Sequence, residues 1–118
     1  MNTNMENNDQ VTKPLDVIEI CKALSNQTRM NILSWLKHPK ENFPPQGGCL
    51  DEPVDLKGGV CMSSIQAKAG LTPATVSNFL HTLQRAGLLL SERHGKWTYF
   101  RRNEETIQRL AAFLGHKL

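Results

Sequence analysis

The 118 residues carry 14 Lys and Arg against 11 Asp and Glu, and 39% of them are apolar. That length fits one domain of about 100–150 residues and the balance is globular, which excludes a disordered chain and a two-domain enzyme with its own cofactor fold. No apolar run approaches the roughly 20 residues that cross a bilayer, Met1 to Gln10 lacks a signal-peptide pattern, and three cysteines do not make a disulfide scaffold. A cytoplasmic protein is expected, with no membrane partner. The charge divides unevenly. Residues 1–61 hold six Lys/Arg and eight Asp/Glu, whereas residues 62–118 hold eight and three, so a polyanion would meet the second half.

Met1 to Pro14 is polar and reads as a disordered, frayed tail. From Leu15 to Leu24, the residues Val17, Ile20, Cys21 and Leu24 recur at helical spacing. Ser25 or Asn26 suits the N-cap of a second helix. Met30, Ile32, Leu33, Trp35 and Leu36 give that helix a wide apolar face, and Pro39 stops it. Residues 38–60 hold four of the six prolines and four of the eight glycines, and show neither the helical nor the strand period. They predict a loop longer than the roughly 12–15 residues common in compact domains. A lid over a ligand pocket, a dimer arm and surface disorder all fit it. Phe43, before Pro44 and Pro45, argues for docking, because an aromatic ring gains nothing in a solvated loop.

Val60, Cys61 and Met62 read as one short strand. Ser63 and Gln66 have the S-x-x-Q spacing of a capping box, which predicts a short helix over Ile65–Ala69 ended by a left-handed Gly70. Thr72 caps the next helix, with Pro73 at its first position, where a missing N–H costs nothing. Val76, Leu80 and Leu83 form the buried stripe of that helix and Gly87 ends it. Two helices about the tight turn Gly70-Leu71 make a helix-turn-helix. Leu88–Glu92 and Trp97–Arg102, joined at His94-Gly95, predict a β-hairpin. Ile107, Leu110, Ala111 and Leu114 line one face of a last helix. The expected fold is mainly α with a β-hairpin wing, a winged helix-turn-helix domain over residues 15–118.

The segment ALSNQTRMNIL, residues 23–33, resembles the ALSDPTRLRIL segment of ArsR/SmtB-type transcriptional repressors. LTPATVSNFL, residues 71–80, is similar to their recognition helix, LSQSTVSRHL. AGLL, residues 86–89, and GKWTYFR, residues 95–101, are similar to their AGLV and to the wing GRxVYYR. The resemblance covers about residues 17–37 and 61–114. It implies a homodimeric, DNA-binding repressor, paired through its first and last helices and released from its operator by an inducer. Pro73 and Asn78 stand where the family has Gln and Arg, and Phe79 where it often has His. A different operator sequence is therefore expected, with Phe79 packed against the preceding helix.

In a helix-turn-helix the second helix enters the major groove of double-stranded DNA. With Val76, Leu80 and Leu83 inward, Thr72, Ala74, Thr75, Ser77, Asn78 and His81 are the expected DNA contacts. Asn78 is the sharpest, since its amide can make two hydrogen bonds to an adenine. Thr75 and Ser77 suit a base or a phosphate, and Ala74 a thymine methyl. Phosphate contacts are expected from Arg85, Arg93, His94, Lys96, Arg101 and Arg102, while Trp97 and Tyr99 read as packing residues. The dimer is expected through Val17, Ile20, Cys21 and Leu24 of the first helix and Ile107, Leu110, Ala111 and Leu114 of the last. Two recognition helices would then read half-sites of a palindrome about one turn apart.

The metal sites of the resembled family are not intact. Where one has Cys-Val-Cys-Asp-Leu, this chain has Cys61-Met62-Ser63-Ser64-Ile65. The positions of the other fall on Asn103, Glu105 and His116, and Leu118 ends the chain before the final Glu. No metal or cofactor is expected, and an unidentified small ligand is favoured as inducer. The alternative is a thiol sensor built from Cys21, Cys49 and Cys61, responding to trivalent arsenic, zinc or an oxidant. Against it, Cys21 reads as a buried structural cysteine on an apolar helix face. A function of another class is a winged helix that binds only proteins. No nucleophile elbow, phosphate loop or metal signature accompanies Cys61, His81 or His94, so an enzyme is not expected.

Overall fold

The computed structural model describes residues 14–118, so the expected tail over 1–14 lies, Pro14 apart, outside the described residues. The carboxylate of Asp16 accepts from the Glu19 N–H at 3.1 Å and opens α1 (Val17–Leu24). Asn26 accepts from the Arg29 N–H at 3.0 Å and opens α2 (Gln27–Lys37). Ser25 serves the other end, closing α1 with its amide and its hydroxyl both donated to the Lys22 carbonyl. Helix α2 ends ahead of Pro39, as expected, but the proline also starts a new turn. At a first helical position it opens a single turn, α3 (Pro39–Asn42), that the loop reading missed.

The chain continues through β1 (Val60–Cys61), α4 (Met62–Ala69), α5 (Pro73–Arg85), β2 (Leu89–His94), β3 (Trp97–Arg102) and α6 (Glu104–Lys117). The strands form one antiparallel sheet in the order β1-β3-β2, with Val60 opposite Phe100, Cys61 opposite Tyr99 and His94 opposite Trp97. Strand β2 therefore starts one residue later and runs two residues further than the apolar pattern predicts. The two-residue loop Gly95-Lys96 turns the hairpin, and Gly95 takes φ 64°, which only glycine adopts freely. Asn103 caps α6 and donates its side-chain amide to the Gly87 carbonyl at 3.0 Å, closing the sheet onto the end of α5.

The core lies where α1, α2, α4 and α5 meet the sheet. Ile20, Ile32, Val60, Ile65, Val76, Leu80, Leu83, Leu88 and Leu89 are essentially free of solvent, each worth about 1.5–3 kcal/mol by burial. Ile20 and Leu110, expected at a dimer face, belong to this core instead, because α1 and α6 each use part of their apolar stripe within one chain. Cys21 is exposed, not a buried structural cysteine, since it falls on the side of α1 that turns away from the core.

The long insertion is an ordered strap. Phe43 enters the core. Gln46 then accepts from the Cys61 N–H at 2.8 Å and donates to Ser64 Oγ at 3.2 Å. Further on, Lys57 sits at φ 54° with its N–H on the Asp55 carboxylate. Its ammonium reaches Glu92 on β2 at 3.4 Å. Residues paired across a ladder share a face, so Cys61, Tyr99, Glu92, His94, Trp97, Leu90 and Arg101 lie on the side opposite the core, and the strap runs along that side. It shields Tyr99, which is only 4% exposed. No helix among the described residues is long and apolar enough to cross a membrane.

Gly59 is where the strap passes closest. A Cβ there would lie 2.9 Å from the Leu56 carbonyl oxygen and 3.2 Å from Tyr99 Cβ, whereas at Gly48 it would meet nothing within 4 Å. Gly59→Ala is expected to cost about 1–3 kcal/mol in chemical denaturation through overpacking, and Gly48→Ala to leave the midpoint almost unmoved.

Candidate nucleic-acid interface

The helix-turn-helix is assembled from local signals. Gly70, at φ 69° and ψ 29°, ends α4 in the left-handed region. Gln66 donates its side-chain amide to the Leu71 carbonyl at 2.7 Å and braces the turn. The expected capping box is absent. Helix α4 starts directly after β1, with Cys61 as its N-cap and no side-chain cap bond, so Ser63 already lies inside the first turn and Gln66 serves the C-terminal end. Thr72 caps α5 by accepting from the Thr75 N–H at 3.3 Å, and its hydroxyl donates to Thr75 Oγ1 at 2.9 Å. Thr72 thus holds the start of the helix, and the Thr75 hydroxyl keeps its own proton for an outside acceptor.

On α5, Val76, Leu80 and Leu83 are buried, while Ala74, Ser77, Asn78, His81 and Arg85 are exposed, as the helical period requires. Phe79 is half-buried against the core, under the guanidinium of Arg29 on α2. At its far end, Gln84 donates to Ser91 Oγ at 2.9 Å and joins the recognition helix to β2.

The wing separates the predicted phosphate contacts into two groups. Arg93 lies on the same sheet face as Ser91, exposed, with its Nε on the Gly95 carbonyl at 3.0 Å. Lys96 is exposed at the tip, 5.6 Å from the Trp97 ring centroid. His94 and Arg101 point the other way, because the ladder register puts them on the face of Glu92. Arg101 stands 3.9 Å from that carboxylate. His94 stands 3.6 Å from it, 5.8 Å from the Tyr99 ring, with a buried Nε2 that makes no hydrogen bond among the described residues. Arg102 forks onto Glu104 at 2.8 and 3.0 Å with its side chain 12% exposed. The cations turned outward beside α5 are therefore Arg85, Arg93 and Lys96, a subset that counting charges does not distinguish.

The predicted sensor thiols do not converge as a trio. Cys21 is on α1, while Cys49 and Cys61 both act on the Tyr99 hydroxyl, which burial first and then these two thiols push above its ordinary value of 10. Among the described residues, no three His, Cys, Asp or Glu side chains gather as a metal-binding group. A cleft of about 650 Å³ opens between α1, the end of α5 and the start of α6, lined by Asp16, Glu19, Arg85, Leu90, Glu105 and Arg109 among others. The sequence carries no signal for it, since its walls come from four separate elements, α1, α5, β2 and α6.

No family model matches the chain. It is 46% identical over 101 residues to YbzH, an uncharacterized HTH-type transcriptional regulator of Bacillus subtilis, covering 85% of this chain and 96% of that protein. It is 27% identical over 103 residues to a homolog of the cadmium resistance transcriptional regulatory protein CadC from Staphylococcus aureus, covering 86% of this chain and 70% of the relative. Among solved structures it is similar to an ArsR family transcriptional regulator, with a TM-score of 0.64, 16% identity and 90% of each chain covered. It is also similar to a homodimeric winged helix-turn-helix DNA-binding domain from Mycobacterium bovis, with a TM-score of 0.57, 23% identity, 97% of this chain and 83% of the other. These relatives are regulators and not enzymes.

The strap and the wing meet at Glu92. The Lys57 ammonium bonded to it holds its carboxyl below the usual carboxylate range, with smaller help from His94 and Arg101. Because the folded-state value is depressed, the linkage is present above the ordinary carboxylate pKa and is lost as pH falls through the folded value. An NMR titration should show the Glu92 carboxyl midpoint below its ordinary 4.5, and Lys57→Met should move it back up.

Proposed function

Since the chain belongs to the ArsR family of winged helix-turn-helix transcriptional regulators, we propose that it is a homodimeric repressor that binds a two-fold-symmetric DNA operator and leaves it when an inducer binds. The observation that carries the reading is the division of α5, with Val76, Leu80 and Leu83 buried and Ala74, Ser77, Asn78 and His81 exposed on the helix after the turn. Asn78 reads an adenine, Ser77 and Thr75 bond a base or phosphate, and Arg85, Arg93 and Lys96 hold the backbone on either side. Thr72 acts by fixing the start of the helix. Arg101 contributes less than its charge suggests, because it faces Glu92, and His94 is turned to the same side of the wing.

Pairing through α1 and α6 is supported by the apolar surface these helices leave uncovered. Ile18 is 67% and Leu114 44% exposed, with Val17, Cys21, Leu24, Ile107 and Ala111 beside them at least partly exposed. The Mycobacterium bovis neighbour is homodimeric. The cleft between α1, α5 and α6 supports an organic inducer, since a ligand there touches both pairing helices and Arg85 at the end of the recognition helix.

A second reading, a thiol-sensing repressor, is favoured by Cys61 standing opposite Tyr99 in the ladder and by Cys49 acting on the same hydroxyl. In it, a peroxide joins the two thiols as a disulfide and is itself reduced to alcohol or water, locking the strap to β1. Peptide mapping after peroxide treatment should find the Cys49–Cys61 peptide, and Cys49→Ser should abolish both that peptide and any peroxide-dependent release of DNA. Release by small molecules but not by peroxide, zinc or arsenite would leave the organic inducer.

A mobility-shift assay at two salt concentrations, on duplexes enriched by the chain from a random library, tests the main reading. Asn78→Ala should weaken the enriched duplex about tenfold or more and relax one base position. Arg93→Ala should weaken all duplexes alike and lower the salt slope by about one, with Arg101→Ala lowering it less. No salt-sensitive shift on any duplex would leave the protein-binding module.

A further inference from the structure

Arg29 joins two elements that are far apart in the DNA-binding reading. It stands in the first turn of α2, yet its Nε donates to the Ala23 carbonyl at 2.7 Å and its Nη2 to the Lys22 carbonyl at 3.3 Å. These oxygens belong to the last turn of α1, where the Lys22 carbonyl also takes the Ser25 amide and hydroxyl, and the dipole at this end favours a cation. The same guanidinium carbon lies over the Phe79 ring, 5.4 Å from its centroid, inside the roughly 6 Å over which a cation attracts an aromatic face. Phe79 is half-buried midway along α5, and its chain neighbour is the exposed Asn78. A planar group with donors along its edge and a stacking face can serve both partners at once, which lysine cannot.

We infer that Arg29 and Phe79 form a bracket that sets the rotation and depth of the recognition helix against α1, so that operator selectivity depends on a contact that touches no base. Arg29 is thus a positioning residue, acting through Phe79 on Asn78 and its neighbours. The inference rests on the reading that α5 enters the major groove and goes beyond it. Val76, Leu80 and Leu83 decide which face of α5 is buried, and the bracket adds a second contact on the flank of the helix, tying it to the joint between α1 and α2.

The probe is the duplex enriched by the wild-type chain from a random library, with a scrambled duplex of equal length as reference. Phe79→Leu keeps the apolar bulk and removes the ring face, Phe79→Tyr keeps the face, and Arg29→Lys keeps the charge and loses the fork. Phe79→Leu and Arg29→Lys should each lower the preference for the enriched over the scrambled duplex about fivefold, with binding to the scrambled duplex and the denaturation midpoint of Phe79→Leu close to wild type. Phe79→Tyr should keep the preference, and the double variant Arg29→Lys/Phe79→Leu should lose no more than either single one. A merely structural role would weaken both duplexes equally, and that result in Phe79→Leu overturns the inference, as does an unchanged preference. Failure of the wild type to enrich any duplex would instead overturn the DNA-binding reading itself, and the bracket with it.

Discussion

The molecule is organised around the burial of three side chains, Val76, Leu80 and Leu83, on one side of α5. A helix turns about 100° per residue, so sinking this stripe into the core leaves α5 no freedom over which residues face outward. Asn78 and Ser77 are presented because their neighbours are not. The other elements serve that constraint. Gly70 and Thr72 decide where α5 begins, α1 and α4 close over its inner side, and the Gln84–Ser91 bond carries its orientation into the sheet. The wing is thereby aimed by the same helix that it flanks.

The electrostatics depend on ladder parity more than on composition. The second half of the chain is strongly basic in sequence, yet Arg101 and His94 face Glu92 and Arg102 is forked onto Glu104. The cations left outward sit at the end of α5, on one face of the wing and at its tip. A single carboxylate on the opposite face, Glu92, gathers Arg101 and His94 together with Lys57 from the strap. Charge is removed from the face away from α5 and retained beside it.

The helix-turn-helix was legible in the sequence because each of its signals acts over three or four residues. Asn26, Thr72 and Pro73 open helices where their chemistry predicts, and Gly70 closes one. The strap was not legible, since its anchors join residues far apart in the chain, Gln46 to Cys61 and Ser64, and Lys57 to Glu92. A glutamine or lysine in a Pro- and Gly-rich stretch does not announce such a partner. The Ser63-x-x-Gln66 spacing misled because α4 begins earlier than a capping box requires. Cys21 and Ile20 misled for a related reason. One apolar stripe on α1 serves two surfaces, and the sequence does not say which residue turns to which. The wing cations were countable, but their faces depended on a register set by where β2 ends.

Cys61 is at once the last residue of β1 and the N-cap of α4. No residue intervenes between the sheet and the helix-turn-helix, so the joint has no slack. Upstream, the strap is long and secured at a few points, and evolution can lengthen or shorten it between those anchors without disturbing β1 or α4. Downstream of Gly59 a single inserted residue would flip the β1 pairing by one and turn the whole of α4 about its axis. The chain thus places a stretch tolerant of length change directly beside one that tolerates none, and the boundary between them falls within two residues.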